Sequence, residues 1–162
     1  MILVTVGTTN FDALVRRVDE LAPELGEEVV CQIGGGAYVP QHCKWLRFAP
    51  SLAELLGRAR LVVTHGGQGS ILEALRAGKP VVGVSNQDRR DRHQDDILGR
   101  FESDQHLIWC RSLDDLGACI ARASATSLRP YVEPECRIHL VIADFLRRRS
   151  TRSRRPPLRG AA

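Results

Sequence analysis

Short apolar segments alternate with amphipathic segments along most of the chain, and this alternation limits the fold more than any other feature. Residues 2–6 are almost entirely apolar, whereas residues 12–21 carry apolar side chains at helical spacing. The strands predicted from this pattern are 2–6, 29–33, 45–48, 61–64, 81–85 and 107–110. The predicted helices are 12–21, 70–77, 93–101, 113–123 and about 135–149, with one more beginning at a capping box at 51–54. Strands that alternate with helices form βαβ units, so the sequence predicts an α/β, Rossmann-like domain with a parallel sheet.

The glycine-rich connections all follow predicted strands. In open parallel sheets ligands bind beyond the carboxyl ends of the strands, so these connections mark the expected site. A chain of 162 residues is within the usual range for one domain. We therefore expect a single domain at 1–149, followed by a tail at 150–162 whose arginines, prolines and serines predict disorder.

The positive charge of the chain is concentrated near its end. Seven of the 23 lysines and arginines lie in residues 147–162, where there is no acid, so the formal net charge of +4 becomes −3 without them. An acidic body offers no basic platform for nucleic acid, and a nucleic-acid-binding function is not favoured. Hydrophobic residues are 43% and charged residues 26%, which excludes a wholly disordered chain.

The cysteines and the first residues indicate the compartment. The five cysteines are widely spaced and form no CxxC pair, which argues against a disulfide framework or a zinc site and favours buried, reduced thiols. The first residues contain no basic segment and reach a glycine too early for a signal peptide, and no apolar run is long enough to span a membrane. These features predict a cytoplasmic protein.

The densest chemical motif is residues 64–73, Thr-His-Gly-Gly-Gln-Gly-Ser-Ile-Leu-Glu, between a predicted strand and a predicted helix. Its three glycines allow a ligand to approach the backbone closely, and the helix would direct free N–H groups and a positive dipole end at an anion. A diphosphate is the expected ligand. A plain glycine turn followed by a Ser70–Glu73 capping box is the structural alternative. The spacing does not match the dinucleotide fingerprint, so a nicotinamide-dependent oxidoreductase is disfavoured.

A second motif, His93-Gln94-Asp95-Asp96, follows an arginine-rich loop after the fifth predicted strand. Glutamine and aspartate side chains at the carboxyl end of a strand can bind sugar hydroxyls. The same residues also suit an ordinary polar helix start, and the motif alone does not decide between the two.

The two motifs together resemble glycosyltransferase family 28, C-terminal domain, the donor-binding half of GT-B glycosyltransferases. The resemblance rests on His-Gly-Gly-x-Gly-Ser-x-x-Glu at 65–73, Gly-x-Pro at 78–80 and His-Gln at 93–94, and it extends through 4–12 and 32–34. The chain is similar in particular to the small soluble catalytic subunits of two-part UDP-sugar transferases. Some of these enzymes act on dolichol-linked sugars, and others act in bacterial exopolysaccharide synthesis. Arg92 departs from the family, which usually has asparagine before the His-Gln pair.

The resemblance assigns a role to each matching residue. It implies a cradle for the UDP diphosphate made of Gly66, Gly67, Gln68, Gly69 and Ser70. His65 would contact a phosphate and is also the candidate catalytic residue, and Glu73 would accept hydrogen bonds from the ribose diol. The residues expected to face the donor sugar are His93, Gln94 and Asp95. The residues expected to line the same cleft are Gly7, Thr8, Thr9, Gly34 and Gly35.

The resemblance also implies an inverting, metal-independent hexosyltransferase without a cofactor, in which an acceptor hydroxyl attacks C1 of a UDP-sugar. A complete GT-B enzyme has two halves, so a chain of this length would supply one of them. A membrane-anchored partner subunit would bind the lipid-linked saccharide acceptor, could carry the general base, and would hold this subunit at the cytoplasmic face of a membrane.

The donor sugar stays open among glucuronic acid, N-acetylglucosamine, glucose and galactose. A non-catalytic nucleotide-sugar-binding or regulatory module is the alternative.

The arginines before Gln94 suggest one donor. Arg89, Arg90 and Arg92 could bind the carboxylate of a uronic acid bidentately, which makes UDP-glucuronate a candidate. The alternative is that alternating aspartates and arginines in 88–96 form surface ion pairs.

The last predicted helix carries an apolar stripe, made of Ile138, Val141, Ile142, Phe145 and Leu146. The stripe either packs on the sheet of this domain or docks the partner subunit. The arginine-rich tail after it either contacts anionic lipid or is simply solvated.

Overall fold

A parallel sheet with helices packed on it forms the framework of the chain in the computed structural model, which describes residues 1–88 and 92–152. Within these residues the strands are β1 Ile2–Thr5, β2 Val29–Gln32, β3 Lys44–Leu46, β4 Leu61–His65, β5 Val81–Val84 and β6 Ile108–Cys110. The helices are α1 Asp12–Leu25, α2 Ala53–Arg58, α3 Gln68–Arg76, α4 His93–Ser103, α5 Leu116–Ala125 and α6 Ile138–Arg152, with a 3-10 turn at Leu113–Asp115. The predicted α/β fold is confirmed.

The strand order is β3-β2-β1-β4-β5-β6, and every neighbouring pair is parallel. The carboxyl ends of all strands therefore lie at one edge. The chain order reverses between β1 and β4, and ligands of open α/β sheets bind at this switch point. The loops that follow β1 and β4 are consequently the first place to look for a site.

Both faces of the sheet are buried, because the strands are apolar on both sides. Ile2 and Val4 of β1 belong to a core with α1 and α5, whereas Leu3 belongs to a second core with α2, α3 and α4. Burying both faces explains why the strands are continuous apolar runs rather than alternating ones.

Asp19 is a buried carboxylate of α1 that fixes the segment leading into β3. Its Oδ1 accepts hydrogen bonds from the N–H groups of His42 (2.7 Å) and Cys43 (3.0 Å). Its Oδ2 accepts hydrogen bonds from the N–H of Gln41 and the hydroxyl of Tyr38, both at 2.8 Å. Burial alone would raise the pKa of Asp19, but the four hydrogen bonds outweigh burial and lower the pKa below its ordinary value.

The capping box predicted at 51–54 is wrong, and the Ser70–Glu73 box that was the structural alternative at α3 does not form either. Helix α3 begins at Gln68, with Gly67 in the N-cap position, so Ser70 lies inside the first turn and cannot cap it. At α2, Ser51 Oγ accepts a hydrogen bond from the Ala53 N–H (3.1 Å), but the N-cap residue makes no side-chain cap bond. In each case the helix begins at a different residue from the one the box requires.

Other helix boundaries differ from the predicted ones by a few residues. Helix α1 continues through Pro23 to Leu25 and ends at Gly26, whose φ of +66° gives a left-handed cap. The predicted helix at 113–123 is divided into a 3-10 turn and α5, and the last helix is Ile138–Arg152 rather than about 135–149.

Contacts within the chain divide it into two units, Met1–Val132 and the segment from Glu133 onward, which contains α6. The predicted domain at 1–149 and tail at 150–162 stay predictions, because residues 153–162 lie outside the described part. None of the helices in the described part has the length and apolarity of a membrane span.

The cysteines partly follow the expectation. Cys31, Cys43, Cys110 and Cys119 are buried free thiols, as predicted, whereas Cys136 is exposed.

Candidate functional site

His65 joins the loops that follow the two central strands. It is the last residue of β4, and only 6% of it is exposed. Its ring lies against Gly7, which follows β1, and Gly67, which precedes α3. A β-carbon on Gly67 would be 2.7 Å from His65 Cε1, and one on Gly7 would be 3.2 Å from the same atom. Glycine is therefore required at Gly67 by the close approach of the ring, and at Gly7 by a φ of +61° as well.

The loop after β2 packs against the loop after β1. Gly34 has a φ of +55°, and a β-carbon on it would overlap the carbonyl oxygen of Thr9 and lie 2.9 Å from that of Gly7. The Gly35 N–H donates a hydrogen bond to the Thr9 carbonyl (3.1 Å), and Arg47 Nη1 donates one to the Gly36 carbonyl (2.8 Å). The contacts of Gly34 and Gly35 join the loop after β2 to the loop after β1, and Arg47 ties the first of these loops to the segment after β3.

The amino end of α3 is open at this edge of the sheet. Its first turn contains no acidic residue, its N-cap Gly67 makes no side-chain cap bond, and Gln68 and Gly69 are exposed. The first N–H groups of a helix have no partner within the helix, and the dipole adds partial positive charge there. This end can therefore accept an anion. Glu73 is exposed and lies farther along the same helix.

Gln94 is a packing residue in this structure. It is 3% exposed, and its Oε1 accepts a hydrogen bond from the Asn86 N–H (2.8 Å). A β-carbon on Gly66 would be 2.6 Å from Gln94 Cβ, so the first glycine of the motif allows α4 to approach the β4–α3 loop. The two motifs found in the sequence are thus in direct contact.

The residues beside Gln94 face solvent to different degrees. His93 is exposed, and Asp95 is partly buried. A hydrogen bond from Ser85 and another from Arg92 lower the pKa of Asp95 below its ordinary value. Arg92 Nε lies 3.0 Å from Asp95 Oδ2. Arg89 and Arg90, on which the uronate prediction also depends, lie outside the described residues.

Two cavities open between the β1–α1 loop and the β5–α4 loop. The larger is about 420 Å³ and is lined by Thr9, Asn10, Phe11, Asp12, Asn86 and Asp88. The smaller is about 260 Å³, shares Phe11, Asn86 and Asp88 with the first, and is also lined by residues 111–114, which follow β6. Both have sizes near that of small-molecule sites. Among the predicted site residues, Thr9 lines the larger cavity. The other lining residues were not predicted; they lie in the loops after β1 and β5 and at the start of α1.

The sequence comparison decides the family. A family model described as the glycosyltransferase family 28 C-terminal domain matches residues 1–97, more than half of the chain. This chain belongs to the glycosyltransferase family 28 C-terminal domain family. The matched region contains all the glycine loops described above, His65, α3 and Gln94.

Relatives of this family 28 domain include longer proteins. The mouse (Mus musculus) UDP-N-acetylglucosamine transferase subunit ALG13 is 38% identical over 120 residues, which are 66% of this chain and 10% of the mouse protein. The chain therefore spans about a tenth of the length of this relative.

Solved structures agree with the family 28 fold. An NMR solution structure of ALG13 has a TM-score of 0.60 at 22% identity and covers 83% of this chain and 90% of that chain. The crystal structure of Acinetobacter baumannii MurG has a TM-score of 0.63 at 19% identity and covers 91% of this chain and 49% of that chain. The predicted Rossmann-like half of a GT-B glycosyltransferase is confirmed as a fold.

The structure brings most of the predicted site residues of this family 28 domain to one edge. Those that meet there through the contacts described above are Gly7, Thr9, Gly34, Gly35, His65, Gly66, Gly67 and Gln94. Thr8, Gln68, Gly69 and Ser70 adjoin them in the same two loops and the first turn of α3. Their roles toward a ligand stay predictions, as do those of Glu73, His93 and Asp95.

Proposed function

We propose that this chain is the donor-binding, catalytic subunit of a UDP-sugar-dependent hexosyltransferase, and that its donor is UDP-N-acetylglucosamine. One observation carries the proposal: the uncapped amino end of α3 opens beside the switch point of the sheet, directly after the packed His65-Gly66-Gly67 turn. Membership of family 28 supports it, and the name of the mouse relative supports the choice of sugar.

The diphosphate of the donor binds at the start of α3. Its negative charge is stabilised by free N–H groups and by about half a positive elementary charge from the helix dipole. A β-carbon on Gly69 would meet nothing within 4 Å, so this side of the turn has room for a ligand. Since a preformed positive end stabilises the leaving diphosphate, the reaction needs no metal ion.

The reaction inverts the configuration at C1 of the sugar. The acceptor hydroxyl oxygen forms a bond to C1 while the bond from C1 to the diphosphate oxygen breaks and UDP leaves. The hydroxyl proton passes to a general base, which we place in the partner subunit. We assign His65 a different role: its ring packs between Gly7 and Gly67, holds the phosphate-binding turn against the β1 loop and contacts the diphosphate.

The acceptor is a lipid-linked saccharide, bound by a membrane-anchored partner subunit on the cytoplasmic side. The mouse relative is named a subunit, which agrees with a chain that acts together with a partner.

Gly69→Ala is expected to separate folding from ligand binding. Glycine inside a helix costs about 0.5–1 kcal/mol relative to alanine, and the new methyl group meets no protein atom within 4 Å, so the variant should gain about this much stability. If the diphosphate approaches this backbone, the methyl group should weaken UDP binding at least about tenfold. Urea unfolding and titration calorimetry with UDP give the two values. Unchanged affinity for UDP would place the diphosphate elsewhere.

Glu73→Ala is expected to weaken UDP binding by about ten- to a hundredfold, because a hydrogen bond to a charged group contributes about 1.5–3 kcal/mol. The loss should be much smaller with 2′-deoxy-UDP, which lacks one of the two ribose hydroxyls. Glu54→Ala, which removes an exposed glutamate from α2, is the matched control and should bind both nucleotides normally. Equal losses for UDP and 2′-deoxy-UDP would contradict the ribose assignment.

A donor panel tests the sugar. Calorimetry with UDP-N-acetylglucosamine, UDP-glucuronate and UDP-glucose, on the complex with its partner subunit, should give the strongest binding for the first. UDP-glucuronate could instead bind most strongly, and Arg89→Ala/Arg90→Ala could weaken that binding. These two results together would support the uronate donor that the arginine-rich loop suggests.

A further inference from the structure

Helix α6 exposes a continuous apolar face. Its members are Ile138, Val141, Ile142, Phe145 and Leu146, each between 51% and 62% exposed. At about 100° per residue these positions span an arc of roughly 140° on one side of the helix. Large contiguous apolar patches on a protein surface mark contact sites for proteins or membranes.

The charge next to this face selects between the two kinds of partner. Residues 147–162 contain seven arginines and no acid, whereas the rest of the chain is net negative. Apolar packing against a protein groove does not require such a run of one sign. An anionic lipid surface attracts it, and each basic residue near the surface strengthens binding by about fivefold.

The arrangement along α6 also fits an interfacial helix. The apolar arc is bounded by Arg148, which pairs with Asp144 at 2.8 Å, and Arg147 lies on the opposite side. Amphipathic helices with basic residues beside an apolar face lie in the plane of the membrane interface, with the apolar face about 5–10 Å below the headgroups.

We propose that α6 and the arginines of 147–162 bind an anionic membrane surface directly, without the partner subunit. The apolar arc inserts between the headgroups, and the positive charge of the arginines attracts this part of the chain to the anionic surface. This membrane contact is independent of the donor site, which lies in the unit Met1–Val132.

Vesicle flotation of the full chain tests the charge. The chain should float with phosphatidylcholine–phosphatidylserine vesicles, far less with phosphatidylcholine alone, and less as salt increases. Arg147→Ala/Arg148→Ala should weaken binding about twentyfold. Arg58→Ala/Arg100→Ala removes the same charge from the exposed surface of the other unit and should bind like the original chain. Failure to float with anionic vesicles, or equal floating with neutral ones, overturns the proposal.

Two pairs of variants test the apolar face. Phe145→Asp should lose vesicle binding at least about tenfold, because it places a charge at the lipid interface, whereas Ala143→Asp adds the same charge outside the apolar arc and should have little effect. In Phe145→Trp, brominated phospholipid should quench the new indole, and in Leu140→Trp, on the other side of the helix, it should not. Equal effects within either pair overturn the proposal.

A protein partner would give a different result. If vesicles do not bind the chain but the isolated partner subunit does, and Phe145→Asp abolishes that complex, α6 is a protein-docking surface and the proposal is wrong. Calorimetry with UDP in the same variants reports the donor site separately, so failure of the membrane contact and failure of the proposed transferase function are distinguishable.

Discussion

Asp19→Ala should lower the free energy of unfolding by about 3 kcal/mol, because it removes the acceptor of four hydrogen bonds. The N–H groups of Gln41, His42 and Cys43 would lose their partner at the entry to β3. Some of this loss is recovered by water, because Gln41 and His42 are exposed. Urea unfolding followed by circular dichroism measures the difference.

The neighbouring Glu20 provides a matched control. It pairs with Arg17 at 3.3 Å and is 54% exposed, so Glu20→Ala should change stability by less than about 0.5 kcal/mol. Asp19→Asn keeps the shape but replaces one acceptor oxygen by a donor, and it should lose much of the same stability. A small effect of Asp19→Ala, similar to that of Glu20→Ala, would show that the segment before β3 holds itself in place.

The pH dependence of unfolding follows from the same carboxylate. The pKa of Asp19 is lower in the folded chain than in the unfolded chain, so its contribution is complete above the unfolded pKa. It is lost as the pH falls through the folded pKa. Compared with the original chain, Asp19→Asn should therefore show a smaller loss of stability on acidification from neutral pH.

Gly34→Ala should destabilise the fold by about 2–4 kcal/mol and weaken UDP binding at least about tenfold. The left-handed backbone at Gly34 costs a non-glycine residue roughly 1–2 kcal/mol, and the new β-carbon overlaps the Thr9 carbonyl. Both atoms that it meets first are backbone oxygens, of Thr9 and Gly7, so no side-chain movement relieves the overlap. Moving the β1 loop disturbs the joined loops on which the proposed diphosphate site rests.

Gly35→Ala is the stability control for this substitution. Gly35 follows Gly34 in the same loop and is exposed, and the β-carbon that alanine adds there would meet nothing within 4 Å. Thermal unfolding should therefore show a large decrease in midpoint for Gly34→Ala and almost none for Gly35→Ala. Similar midpoints in the two variants would mean that the two loops are not packed as described.

Helix starts were the part of the fold that the sequence predicted least well. Ser70 and Glu73 have capping-box spacing, but the helix begins at Gln68 because the preceding Gly67 turns against the His65 ring. A contact between a histidine and a glycine two residues apart depends on the turn as a whole, and no residue pattern reports it. Similarly, Asp19 lies inside an amphipathic helix and has the sequence signature of an ordinary polar position.

The predicted site residues were chosen by motif, and motifs do not report burial. His65 and Gln94 are 6% and 3% exposed and pack the loops together, which their motifs do not indicate, whereas their expected contacts with a phosphate and a sugar stay predictions. The cavity residues Asn86 and Asp88 were missed because they belong to no motif. They become visible only when the carboxyl ends of β1 and β5 are placed at the same edge.

The sequence by itself determined the alternation of strands and helices, and with it the parallel sheet and the edge at which a ligand is expected. Apolar periodicity is a local property, and a parallel sheet is the ordinary way to bury strands joined by helices. Only the tertiary structure decided which glycines are required by contact and which are open to a ligand. Gly34 and Gly67 lie against a carbonyl and an imidazole, whereas Gly35 and Gly69 face empty space. The sequence cannot distinguish these two pairs, since the difference lies in atoms that the fold brings from other loops.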